Sequence, residues 1–281
     1  MIHLRAGSSS ATIDPERGAR LAGLAAGGRA LIVGPPDDDD RSILWGSFLM
    51  APWCGRIAGA EFGWRGRPHT LNASLDGNAI HGTVWDRAWT VESATDREAV
   101  LTARLEPGGW PFAGSVRQRY ALADAELVTS AEIVADEPMP AALGWHPWFL
   151  RTAGDARLTV LSAHTLETEA MIPTGRLVPV DGATDLRHGT AIGSRLLDHC
   201  YTEARSPALV EWPDLRLEIA FDEPLGCVVV HSRATSFCVE PQTAWPNPIA
   251  LEAAGVSGTG LAILDAGDRL AASMTWTWRS T

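Results

Sequence analysis

Five short segments carry side chains able to move protons or grip a polar ligand. In Ser236–Thr243 an apolar run ends in Glu240, followed by Pro241, Gln242 and Thr243. If this run is extended, Cys238 and Glu240 share one face, and Phe237 and Val239 share the other. A carboxylate beside a buried face is costly unless it is paired or used. In Leu143–Phe149, His146 lies between Trp145 and Trp148, directly before Pro147, whose ring holds the preceding residue extended. A carboxyl with an ordinary pKa near 4.3 can accept a proton at neutral pH, and an imidazole near 6.5 can donate one. His81 precedes Gly82, which permits a tight turn or a close approach. Arg56 follows Gly55 and precedes Ile57; a guanidinium is a rigid fork of donors for an anion or a hydroxyl. Asp198 follows Leu196 and Leu197. Gln242 and Thr243 add hydrogen-bonding groups suited to a polyol. Each residue also has an ordinary structural role open to it: an Arg at a strand edge, a His bonded in the core, a Glu on an edge, an Asp in a loop.

These residues must be positioned by strands. Apolar and polar residues alternate in Leu101–Leu105, Val116–Leu122, Leu127–Val134, Leu215–Phe221 and Ser273–Arg279, which is the period of half-buried antiparallel strands. Turn signals at Gly27-Gly28, Gly34-Pro35-Pro36, Asp76-Gly77-Asn78, Pro107-Gly108-Gly109 and Pro213-Asp214 separate them. The best helical stretch, Glu16–Ala26, is broken by Gly18 and Gly23. The acidic run Asp37–Asp40 is read as a solvated loop. No repeat, linker or composition break divides the chain, so residues 1–281 are expected to form one all-β domain, a large antiparallel β-sandwich. Twelve Trp against six Phe and two Tyr suit either a large core or platforms for flat apolar faces.

Composition excludes several classes. All 23 basic residues are Arg, so a Schiff-base lysine and a Walker-type phosphate loop are ruled out. A net charge of −11 without a basic run argues against nucleic-acid binding and against an anionic membrane surface. There is no apolar stretch of membrane-spanning length. Residues 1–11 lack the pattern of a signal peptide, and the expected location is cytoplasmic. Cys54, Cys200, Cys227 and Cys238 form no CxxC pair, and no HExxH occurs, so no metal is expected. A GxSxG elbow is absent too. No feature of the sequence sets an oligomeric state.

Taken in order, Gly55-Arg56-Ile57, His81-Gly82, Gly144-Trp145-His146-Pro147-Trp148-Phe149, Leu197-Asp198-His199-Cys200-Tyr201 and Glu240-Pro241-Gln242-Thr243 resemble the aldose 1-epimerase (galactose mutarotase) family. The likeness spans about residues 53 to 248. It implies a galactose mutarotase-like supersandwich that interconverts the α and β anomers of free aldoses without a cofactor. It also implies Glu240 as general base, His146 as general acid, and Arg56, His81 and Asp198 as sugar ligands. Trp145 or Trp148 would stack on the sugar, and Gln242 would bond a hydroxyl. Four positions depart from the family pattern: Gly55 replaces the usual Asn, Trp145 and Trp148 replace the commoner Tyr, and Thr83 follows His-Gly where a second Gly is frequent. Three other readings compete. One is an epimerase for a phosphorylated or sulfonated hexose, with Arg151, Arg65 and Arg67 as extra cations. Another is a non-catalytic sugar-binding module. The third is a lyase or hydrolase using Asp198 and Glu240.

Overall fold

The computed structural model describes residues 1–36, 43–151 and 156–281; the acidic run Asp37–Asp40 lies outside them. Two large antiparallel sheets dominate. The first runs Ile2–Ala6, Ser9–Asp14, Arg20–Ala26, Ser47–Met50, Gly144–Leu150, Ser236–Gln242, Cys227–Ser232, Asp198–Thr202, His164–Glu169, Ile172–Pro179, with Arg29–Ala30 alongside. The second runs Thr90–Ala94, Glu98–Arg104, Gly114–Ala123, Glu126–Ala135, Arg269–Ser280, Leu215–Phe221, Arg205–Trp212, Arg157–Leu161, Thr190–Ala191. Among the described residues the α-helix is a short one, Pro248–Ala253. The broken stretch from Glu16 resolves into a turn and then the strand Arg20–Ala26.

Alternation builds the second sheet as expected. Val116, Gln118, Tyr120 and Leu122 are buried along Gly114–Ala123, while the residues between them are more exposed. The buried Gln118 amide donates to the Tyr120 hydroxyl at 2.7 Å, which donates to the Ala19 carbonyl at 2.9 Å. The donors of this polar insertion are thereby satisfied, while Gln118 Oε1 is buried without a hydrogen-bond partner. Trp276 packs on Phe149 at 5.1 Å and Phe149 on Phe237 at 5.6 Å. These rings join the two sheets in one core.

In the centre of the first sheet Ser236–Gln242 is buried throughout, and Gly144–Leu150 is buried except at its last residue. Their inward residues, Phe149, Phe237 and Val239, join the core. Their other face carries His146, Trp148, Glu240 and Gln242 into a cavity, with Cys238 against His146; Trp145 lies on the core side. Pairing of Gly144 with Gln242 and of Trp148 with Cys238 sets His146 opposite Glu240. On its other side His146 pairs with Phe48.

His81 and Gly82 both have left-handed backbone, with φ of 60° and 83°. This tight turn lays Gly82 on the backbone of Ala51: a Cβ there would meet the Ala51 carbonyl oxygen at 1.9 Å. The close approach that Gly82 permits is therefore made by the protein itself. Gly82→Ala should destabilise the fold by at least about 1–3 kcal/mol. Gly77→Ala shares the positive φ but has nothing within 4 Å, so it should cost less. Urea denaturation compares the two, and equal losses would rule out the close approach as the cause.

Candidate active site

The site is a cavity of about 410 Å³ over the middle of the first sheet. At its foot His146 Nε2 lies 3.3 Å from Glu240 Oε1, with the side chains 7% and 4% exposed. The other ring nitrogen, Nδ1, is 3.5 Å from Cys238 Sγ. Phe48 stacks on the imidazole at 4.7 Å, and Trp148 lies tilted against it at 5.3 Å. The ring of His81 stands edge-on to it at 4.9 Å. The Trp148 indole is itself fixed by donation to the Ile43 carbonyl at 2.6 Å.

Burial governs the titration here. It pushes the Glu240 carboxyl well above its ordinary range, and the negative charge of Asp198 pushes the same way. Burial likewise pushes His146 well down, helped by His81, His231 and Arg20. His81 is lowered to about 3, by burial first and by Arg56 second, against the pull of Asp198. Burial also raises Cys238, Cys54 and Cys200, Cys200 chiefly through its hydrogen bond with Cys227. These cysteines are thiols rather than thiolate nucleophiles.

All seven residues expected in the site line this cavity: Arg56, His81, His146, Trp148, Asp198, Glu240 and Gln242. Arg56 reaches it from Arg56–Ile57, paired with Ala79–Ile80 just before His81. Asp198 Oδ2 sits 3.2 Å from His231 Nδ1. His81 Nδ1 and Gln242 Oε1 are buried without a hydrogen-bond partner. Two unsatisfied buried polar atoms facing one cavity fit a hydrogen-bonding ligand. His146, Cys238 and Glu240 also place ligand-type atoms within 4.8 Å of one another.

Several expectations are corrected. Trp145 is fully buried on the core side and cannot stack on a ligand. Arg151 donates to the carbonyls of Arg233 and Gly193, Arg65 pairs with Asp265 at 3.6 Å, and Arg67 belongs to an exposed strand end. None of the three lines the cavity; its arginines are Arg56 and Arg233. Sequence reasoning missed Phe48, His231 and Arg233. His231 was within reach, because it ends the apolar run Cys227–Val230 as Glu240 ends its own. Also missed was Arg20, fully buried behind Phe48. Its guanidinium carbon is 4.3 Å from the Trp45 ring and 4.7 Å from that of Phe48, and it donates to the carbonyls of Trp45 and Trp85.

Solved structures place the fold in a class. It is similar to a galactose mutarotase-like protein from Clostridium acetobutylicum (TM-score 0.86, 18% identity, 99% of this chain and 95% of that one). The aldose epimerase homologue from C. elegans matches equally well (TM-score 0.86, 17% identity, 100% and 98%). Galactose 1-epimerase from Lactobacillus acidophilus gives a TM-score of 0.80 at 19% identity, over 97% and 92% of the two chains. In sequence, YphB of Escherichia coli K12 is 21% identical over 71% of this chain and 73% of its own. The family model for aldose 1-epimerase matches residues 1–277, and the chain belongs to that family. Among the described residues no helix is long and apolar enough to cross a membrane.

The buried imidazoles make stability depend on pH. His81 has a pKa of about 3 in the fold against an ordinary 6.5. The unfolded chain therefore takes up a proton between these values that the folded chain refuses, and stability falls as pH drops below about 6.5. His146 acts with the same sign. From pH 7 to pH 5 each such imidazole should lower the unfolding free energy by up to about 1.4 kcal/mol per pH unit, while Glu240, whose pKa the fold raises, acts with the opposite sign, so the His81 contribution is read as the difference between wild type and a His81 variant. His81→Asn, whose side chain tolerates left-handed backbone, should make the decline shallower. Urea titrations at each pH measure this, and an unchanged slope would refute the assignment.

Proposed function

We propose that this protein is a mutarotase that interconverts the α and β anomers of a free hexose, with Glu240 as base and His146 as acid. The observation that carries this reading is the 3.3 Å contact between Glu240 and His146 at the foot of a polar cavity. Anomer exchange opens a hemiacetal. One proton leaves the O1 hydroxyl while another reaches the ring oxygen. Glu240 accepts the first and protonated His146 supplies the second. The free aldehyde turns about C1–C2 and the chain hydroxyl attacks its other face. His146 then recovers its proton and Glu240 returns the other to the carbonyl oxygen. Two positioned proton carriers suffice, each worth about 10²–10⁴-fold.

Burial matters to this cycle. The cycle starts from the ionic form of the pair, reached by moving a proton from Glu240 to His146 across 3.3 Å; at rest this is the minority form, because burial favours the neutral pair. With the ring open, Glu240 is protonated and His146 neutral, which is the state that burial favours. The desolvated site therefore lowers the energy of the open-chain complex, the species that must be reached. Arg56, His81, Asp198 and Gln242 would take the sugar hydroxyls, and Trp148 would lie along the ring face. The close companion of Glu240 is an imidazole rather than a second carboxylate, which favours proton exchange over glycosidic hydrolysis. A non-catalytic binder would have no use for both proton carriers.

A second reading has one observation in its favour. Arg56 and Arg233 both line the cavity, and they suit a hexose bearing an anionic group. In either case we regard residues 1–281 as one domain, with four free cysteines that fit the reducing cytoplasm.

Polarimetry of freshly dissolved α-D-glucose and α-D-galactose tests the reading. The protein should accelerate the approach to anomeric equilibrium. Glu240→Gln and His146→Asn should each lower kcat by about 10²-fold or more while circular dichroism stays unchanged. Near wild-type rates in either variant would remove that residue from its role. Activity confined to phosphorylated or sulfonated hexoses would establish the second reading.

A further inference from the structure

The hairpin His164–Glu169 and Ile172–Pro179 ends beside the cavity. Glu169 pairs with Ile172, so Ala170 and Met171 form a two-residue turn. Both have positive φ, 47° and 68°. Such a turn strongly favours Asn and Gly, because other side chains are strained in left-handed backbone. Here neither position is glycine. Strain of this kind persists where a side chain is wanted for something, often a ligand contact.

The surroundings of Met171 say what that is. Its side chain lines the cavity together with Thr168 of the same hairpin, and with Trp148 and Glu240. It is 38% exposed and belongs to none of the apolar clusters among the described residues. The fold does not need it for packing. A thioether on a flexible stem adapts well to apolar surface, and the C–H faces of a pyranose offer such surface.

We infer that Met171 is a specificity-determining residue that covers the C–H surface of the bound aldose at the cavity mouth, while Trp148 lines the same cavity deeper in. This rests on the reading of the site as an aldose site. The contact is made alike in ground state and transition state, so its loss raises KM and leaves kcat in place.

The test compares Met171→Gly, Met171→Leu and Ala170→Gly with wild type. Polarimetry gives KM and kcat for α-D-galactose, calorimetric titration gives Kd for D-galactose, and thermal unfolding gives Tm. Met171→Gly should raise KM and Kd about five- to tenfold, the loss of roughly half a methionine's apolar contact, with kcat within about twofold. It should also raise Tm by about 2–4 °C, because glycine relieves the turn. Met171→Leu should keep most of the affinity. Ala170→Gly should raise Tm and leave KM unchanged, since Ala170 does not line the cavity. Unmoved KM and Kd in Met171→Gly, or an equal rise in Ala170→Gly, would overturn the inference. So would a fall in Tm for Met171→Gly. Wild-type protein that neither binds nor turns over aldoses would instead overturn the functional reading, which a clear wild-type signal separates from failure at Met171.

Discussion

A carboxyl and an imidazole, 3.3 Å apart and almost wholly out of water, set the terms for the rest of this molecule. Removing two ionisable groups from water costs several kcal/mol for each ion unless each is closely paired. The pairing must therefore be held to a fraction of an ångström, and it cannot be left to loops. Both groups sit on neighbouring central strands, where the register Gly144 to Gln242 and Trp148 to Cys238 leaves them opposite each other. A slip of one residue in either strand would turn its member of the pair into the core.

The layers around the pair serve the same constraint. Phe48 and Trp148 pack against the imidazole, and Cys238 sits beside its second nitrogen. Behind Phe48 the buried Arg20 is held by aromatic faces and backbone carbonyls, an arrangement suited to a desolvated guanidinium. Its pKa falls to about 10, so it stays charged at neutral pH and opposes protonation of His146. A rigid, dry foot is thus combined with a polar wall of Arg56, Asp198 and His231 that can meet a ligand.

Part of the left-handed non-glycine backbone of this chain lies around the cavity. His81 lines it and keeps left-handed backbone next to Gly82, and Asp76, Ala170 and Met171 do the same in the turns at its edge. Backbone of this kind costs about 1–3 kcal/mol at each such residue. Two large sheets with a joint aromatic core supply the stability against which such local costs can be held.

Much of this was legible in the residues alone. Period-2 alternation located strands such as Gly114–Ala123, Leu215–Phe221 and Arg269–Ser280, because a half-buried strand writes its burial directly into sequence. The unusual settings of Glu240, His146, His81, Arg56 and Asp198, each beside Gly, Pro or paired apolar residues, singled them out, the family resemblance joined them as one set, and they line one cavity. Other matters depended on which strands meet. Trp145 and Trp148 look equivalent in sequence, yet one lies in the core and the other on the cavity. Arg65, Arg67 and Arg151 were as plausible as Arg233, and only chain folding decided that Arg233 reaches the site. Phe48 and Arg20 come from segments distant in sequence and gain their roles by cross-strand pairing and packing. Sequence determined the strand type and the chemical inventory, because these are local properties of the chain. Tertiary structure decided which groups come into contact and lose their water, because distance and dielectric exist only once the sheets are assembled.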